Sequence, residues 1–257
     1  MRAALAVTLA ALAALALGCG VSSRGGGTTA PAPPPAPQGW PQGHAAPMQI
    51  TSELTLAVPL EFERTAIDDA APPPGAATPA AAAPGTAAPG SAHGEVHFDF
   101  FLPDFTGYTL GNYRRESDPN KVEVLYLHAG NSHEADPDAP GEYPPNMLKR
   151  QLGELLDARR SREQYGLRCY PGRLLTNRLT CFGRRGSERG EYIMLTALLP
   201  PYAADAGYPA FEARYFSRRY GGVRIEWRAH MSQLARWRRI DAQVWRFIDA
   251  WRVAPAR

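Results

Sequence analysis

One stretch of the chain gathers side chains that bind metals or move protons. Between residues 128 and 142 lie His128, Asn131, His133, Glu134, Asp136, Asp138 and Glu142. Imidazoles and carboxylates at the end of a strand suit a divalent cation. The spacing matches no recognised ligand pattern, and Pro137 and Pro140 interrupt the segment, so it reads as an exposed acidic loop. No metal and no cofactor are expected. Nor does the chain contain a Gly-x-Ser-x-Gly elbow, a His-Glu-x-x-His pair, a P-loop or a Gly-x-Gly-x-x-Gly turn. With no nucleophile and base spaced for catalysis, the expectation is a protein that is not an enzyme.

Charge is the other chemical signal. The 257 residues carry 28 Lys and Arg against 25 Asp and Glu, a formal net charge of +3. From residue 95 onward basic residues outnumber acids by 25 to 20, and only Lys121 and Lys149 are lysine. Arg214, Arg218, Arg219, Arg236, Arg239 and Arg246 crowd the C-terminal part, where Glu212, Glu226, Asp241 and Asp249 are the acids. Guanidinium groups bind carboxylates and phosphates through paired donors. A basic surface of this kind suits an acidic protein partner or anionic head groups. Coding bias in a GC-rich genome produces the same composition. Without a reader motif, no nucleic acid is expected.

The N-terminus is organised for export. Arg2 is followed by a run from Ala3 to Leu17 that is Ala, Leu or Val except for Thr8. That run is shorter than the ~20 residues a spanning helix needs, and it has the shape of a secretory signal. Leu15-Ala16-Leu17-Gly18-Cys19 resembles the lipobox of bacterial lipoproteins. The usual order of the residues three and two before the cysteine is exchanged here. The resemblance implies that residues 1–18 are a signal peptide and that Cys19 receives diacylglycerol. Gly20, where an Asp would favour inner-membrane retention, implies the outer membrane, with the protein facing the periplasm. Residues 19–46 hold Pro31-Ala32-Pro33-Pro34-Pro35-Ala36-Pro37 and are otherwise mostly Gly, Ala, Ser and Thr. Such a tether is expected to be disordered, reaching at most about 80 Å extended or roughly 30 Å as a coil.

With Cys19 assigned to lipid, Cys169 and Cys181 remain as an even pair. An oxidising compartment favours a disulfide between them, and buried free thiols are the alternative.

Residues 47–257 are expected to form a single α+β domain: an antiparallel sheet with two helices packed on one face. A low-complexity insertion occupies about 65–94. Before it, Met48, Ile50, Leu54, Leu56, Val58, Leu60 and Phe62 occupy alternate positions. That period predicts a half-buried strand over 48–62, with Pro59 marking an edge or bulge, paired to the sheet beyond the insertion. Further strands are predicted over 96–101, 122–127, around Cys169 and Cys181, and over 192–199, the last central. Residues 211–216 and 223–227 predict a hairpin around Gly221-Gly222. A helix is predicted over 146–160.

The last helix is predicted to start from an N-cap at Ser232. Leu234, Trp237, Ile240, Val244, Trp245, Phe247, Ile248 and Trp251 fall on one stripe, as core residues do. Asp241 lies inside that stripe and must be paired. Arg224, Arg228 and His230 are the expected partners.

The tail from Gly221 to Arg228 and from Ile240 to Trp251 resembles the C-termini of Gram-negative lipoproteins, some of which neutralise periplasm-directed toxins of type VI secretion. That resemblance implies a non-catalytic, outer-membrane-anchored module that binds a protein partner. The alternative is an envelope assembly or maintenance lipoprotein that binds lipid or cell wall.

Overall fold

A computed structural model describes residues 41–66, 94–115, 117–138, 143–175, 177–186, 191–199 and 209–254. The expected signal peptide, Cys19, most of the expected tether and most of the expected insertion lie outside them.

Eight strands make the main sheet. They are β3 (Glu95–Phe101), β4 (Lys121–Ala129), β5 (Arg162–Gln164), β6 (Leu167–Pro171), β7 (Arg178–Arg184), β8 (Tyr192–Leu198), β9 (Ala210–Ser217) and β10 (Val223–His230). Their order is β3-β4-β10-β9-β8-β7-β6-β5, antiparallel throughout. The 211–227 hairpin forms as expected, and β8 is interior. β5, three residues long, was not anticipated, whereas the other strands were legible because each is long enough to show alternation.

The 48–62 segment is not one strand. It folds into β1 (Met48–Gln49) and β2 (Thr55–Leu56), with a turn in which the Ile50 N–H donates to the Leu54 carbonyl at 2.8 Å. Its partner is not the main sheet but β11 (Arg252–Val253), in a separate three-stranded sheet. The alternation survives only in part as burial: Ile50, Leu54, Leu56, Val58 and Phe62 are inside, but Met48 is exposed, Leu60 is half-buried, and Thr51 and Ala57 of the opposite phase are buried as well. The segment's apolar target is the C-terminal helix. Phe62 packs on Phe247 and Trp251 with ring centroids 5.1 and 4.9 Å apart, and Phe247 stacks on Trp251 at 4.7 Å.

The first helix, α1 (Pro144–Gln151), is shorter than the predicted 146–160. The chain leaves the helix at Leu152, whose backbone is extended, and Gly153 follows at φ +90°. Leu156 is then buried with Tyr170, Phe182 and Met194. The second helix, α2 (Trp237–Trp251), buries the predicted stripe, including Trp237, Ile240, Val244 and Ile248. Ser232 does not cap it. Residues 231–236 form a 3-10 turn whose first position is capped by the His230 side chain, which accepts from the Ser232 N–H.

The two helices lie on opposite faces, contrary to expectation. Leu179 and Cys181 of β7, with Ile193 and Leu195 of β8, share a cluster with α2. Phe182 and Met194, one residue out of phase, share a cluster with Met147 and Leu148 of α1. Successive strand residues point to opposite faces, so α1 covers only one end of the face that α2 leaves open. Among the described residues no helix is long and apolar enough to cross a membrane.

Cys169 and Cys181 sit directly opposite each other on β6 and β7 and are joined by a disulfide. Asp241 is paired, but with Arg185 rather than the expected partners. Its Oδ2 accepts from Arg185 Nε at 3.1 Å and from Nη2 at 3.0 Å.

Candidate functional site

The face opposite α2 carries the chemistry. On β3, Val96, Phe98 and Phe100 turn into the core, so His97 and Asp99 turn out. On β4, Val122 and Val124 turn in, leaving Lys121 and Glu123 outside. A register shift around Leu125 then resets the phase, so that Leu127 is again inside and Tyr126 outside. On β10, Val223, Ile225, Trp227 and Ala229 are buried, and Arg224, Glu226 and Arg228 alternate with them. Arg214 of β9 lies across from Glu226.

These groups pair across the strands. Lys121 Nζ lies 3.0 Å from both Asp99 and Glu123, and Glu123 meets Arg228 at 2.7 Å. Arg224 meets Glu226 at 2.8 Å and Glu134 at 2.6 Å, and Arg214 reaches Glu226 at 2.9 Å. Tyr108, from the loop after β3, donates its hydroxyl to Asp99. Lys121 and Asp99 are only 4% and 8% exposed. They form the floor of a cleft of about 420 Å³, whose walls include Arg64, His97, Glu123 and Arg228. Tyr126, half exposed, meets the His97 ring edge at 5.6 Å.

The cleft holds fixed charges. Burial alone would lower Lys121, but Asp99 and Glu123 outweigh it and raise the ammonium above its ordinary value. Burial would raise Glu123, yet Lys121 and then Arg228 hold its carboxyl below the usual range. Burial, and then the charge of Asp99, push Tyr108 up to about 12. Asp99 itself is raised, because desolvation exceeds the pull of Lys121 and Tyr108. An amine nucleophile needs a neutral lysine, and a general base works best near the ambient pH. Lys121, Glu123 and Tyr108 are each shifted away from neutrality. Lys121 and Glu123 therefore keep their charges near neutral pH, while Asp99, raised by burial, is the member of the cluster shifted toward neutrality.

The sequence-named groups are dispersed. In the 128–142 segment, His128 Nδ1 contacts the Ala129 carbonyl at 2.7 Å and Asn131 accepts from the His133 N–H at 3.0 Å. Glu134 serves Arg224, and Asp136 accepts from the Asp138 N–H at 2.9 Å. Glu142 lies outside the described residues, among which no group of three His, Cys, Asp or Glu is placed to hold a metal.

Of the six arginines, Arg214 alone belongs to the charged rank. Arg218 and Arg219 lie at the end of β9, with Arg219 bonded to Asp249 at 2.7 Å and 4.3 Å from the Trp245 ring. Arg236, Arg239 and Arg246 are on or just before α2, across the sheet from Arg214. Arg236 donates to Gln233 at 3.1 Å, and Arg239 to the Pro103 carbonyl at 3.2 Å. Arg246 donates to Gln243 at 3.5 Å.

Asp99, Tyr108, Lys121 and Glu123 were missed. The outward phase of Lys121-Val122-Glu123-Val124 was the available signal, since charges alternating with valines mark a strand with one wet face.

No family model matches the chain, and no curated protein is similar to it in sequence. Among solved structures, an immunity protein of the Stenotrophomonas maltophilia type IV secretion system aligns over 82% of this chain and 95% of its own, with a TM-score of 0.46 and 13% identity.

Proposed function

We propose that this protein is a non-catalytic binding module for a protein partner, exported and anchored by lipid at Cys19 to the outer membrane, facing the periplasm. The observation that carries the binding role is the ion-paired rank across β3, β4, β10 and β9. Its charges are held in place by one another before any partner arrives. Preset charges steer encounter and favour a partner whose own charges complement them. The Cys169–Cys181 disulfide supports an oxidising compartment. The address on the outer membrane rests on the lipobox resemblance. The form of the function, neutralising a toxin directed at the periplasm, rests on the resemblance of the C-terminal tail.

In this reading Arg214 is the partner-binding arginine, and Arg218, Arg219, Arg236, Arg239 and Arg246 serve other surfaces. The test is co-purification of the full chain with the product of a neighbouring gene, followed by titration of Arg214→Glu and Glu226→Arg. Each reversal should weaken binding about tenfold or more, the usual scale for a charge facing a like charge. Equal affinity for parent and both variants overturns the assignment of this face. Unchanged palmitate labelling in Cys19→Ser overturns the anchor.

A further inference from the structure

A second surface lies at the far end of the sheet. The loop between β6 and β7 includes Arg173, Leu174, Leu175 and Asn177, and β7 opens at Arg178. Leu174 is 82% exposed and Leu175 56%. Beside them, Leu155 and Leu198 are 46% and 47% exposed. An isolated exposed leucine is ordinary, but a group of four at one end of a sheet is not.

The loop is rigid at its base. The Gly172 N–H donates to the Arg178 carbonyl at 2.7 Å, and the Arg178 N–H to the Leu175 carbonyl at 2.9 Å. Arg173 N–H donates to the Leu155 carbonyl at 2.9 Å, and Leu199 N–H to the Asn177 carbonyl at 2.7 Å. A Cβ at position 172 would run into the Leu175 carbonyl, so only glycine permits this close turn. The disulfide crosses the same two strands. A soft loop would fold its leucines inward; these bonds hold them in water.

The collar around the leucines has one dominant sign. Residues 149–178 carry eight basic side chains against Glu154, Asp157 and Glu163. Lys149, Arg150, Arg159, Arg160 and Arg173 are exposed. Asp157 N–H donates to the Pro171 carbonyl at 2.9 Å, which brings the 158–160 turn against the base of the loop. A rim built for a protein would mix donors with acceptors. An apolar tip inside a cationic collar instead complements a bilayer, whose anionic head groups lie above apolar chains. The outer face of α2 is also basic but exposes no leucine, so it lacks the apolar half of this pattern.

We infer that the turn carrying Leu174 and Leu175 is a membrane-contact element that inserts these two side chains into the head-group region of an anionic bilayer. The inference does not depend on acylation. It would hold the domain in one orientation on the surface, which a flexible tether cannot do.

The experiment uses the full chain with Cys19→Ser, so that no acyl chain contributes. Flotation with vesicles rich in phosphatidylglycerol is compared for this chain and for the same chain carrying Leu174→Ser and Leu175→Ser. The double substitution should lower the bound-to-free ratio about tenfold at unchanged melting temperature, since two side chains leave the interface. Phosphatidylcholine vesicles or high salt should lower the parent's ratio as well. Equal flotation of parent and variant on anionic vesicles overturns the inference. So does a loss of binding to a co-purified protein with no change on vesicles, which would assign the loop to a protein interface.

Discussion

Replacing Asp241 by leucine should destabilise the domain by about 3–5 kcal/mol, the range for removing one member of a buried ion pair. The two bonds from Arg185, at 3.1 and 3.0 Å, disappear, and the guanidinium has a side chain only 6% exposed. Its next acid, Glu191, is 3.8 Å away, too long for a strong bond. The Tyr215 ring lies 3.7 Å from the guanidinium carbon and offers a cation–π contact, but no carboxylate. For a domain of this size each kcal/mol moves the melting temperature by about 2–4 °C, so the loss should read as about 6–20 °C. Thermal unfolding followed by circular dichroism measures it. The decisive comparison is the double variant Arg185→Met with Asp241→Leu. Once both charges are gone, no buried charge is left without a partner, and most of the lost stability should return. If the two single losses simply add, with a coupling below about 0.5 kcal/mol, the pair is not a buried unit and the reasoning fails.

Replacing both Cys169 and Cys181 by alanine opens a loop spanning a sequence separation of 12. The chain-entropy cost is about 3 kcal/mol, measurable as a lower midpoint in urea, while thiol titration of the denatured, unreduced Cys19→Ser chain should find no free thiol. Glu123, held below its ordinary 4.5 by Lys121 and Arg228 despite burial, contributes stability above that pH and loses it as the pH falls through its lower folded value. Glu123→Gln should therefore flatten that part of the acid limb in a pH series of melting curves; an unchanged limb would contradict the ion pairs. Tyr108, at about 12, should remain a phenol near pH 11, where exposed tyrosines ionise. Tyr108→Phe should then leave the ultraviolet absorbance rise at that pH unaltered.

The strands were legible because burial on one face imposes a period of two. The same logic read Ile50, Leu54, Leu56, Val58 and Phe62 correctly as buried, missed the exposure of Met48, and misread the segment's shape. Period two reports which side chains go inside; it does not report where a chain turns, because a hairpin can bury the same residues as a single strand. Helix α1 was overextended for a related reason: Leu152, Leu155 and Leu156 keep helical spacing, but Leu156 is claimed by Tyr170, Phe182 and Met194 from distant strands.

The sequence by itself determined the local properties of this protein. They include the alternation of the strands, the apolar stripe of α2 and the requirement that Asp241 find a cation. These depend on residue type and near-neighbour spacing. Only the tertiary structure decided which partner each charged group met, because Arg185 is 56 residues from Asp241 and Arg228 is 105 from Glu123. It likewise separated Arg214 from Arg236, Arg239 and Arg246 on opposite sides of the sheet, and gathered Leu155, Leu174, Leu175 and Leu198 at one end. Such meetings are set by strand order and register, which no local pattern encodes.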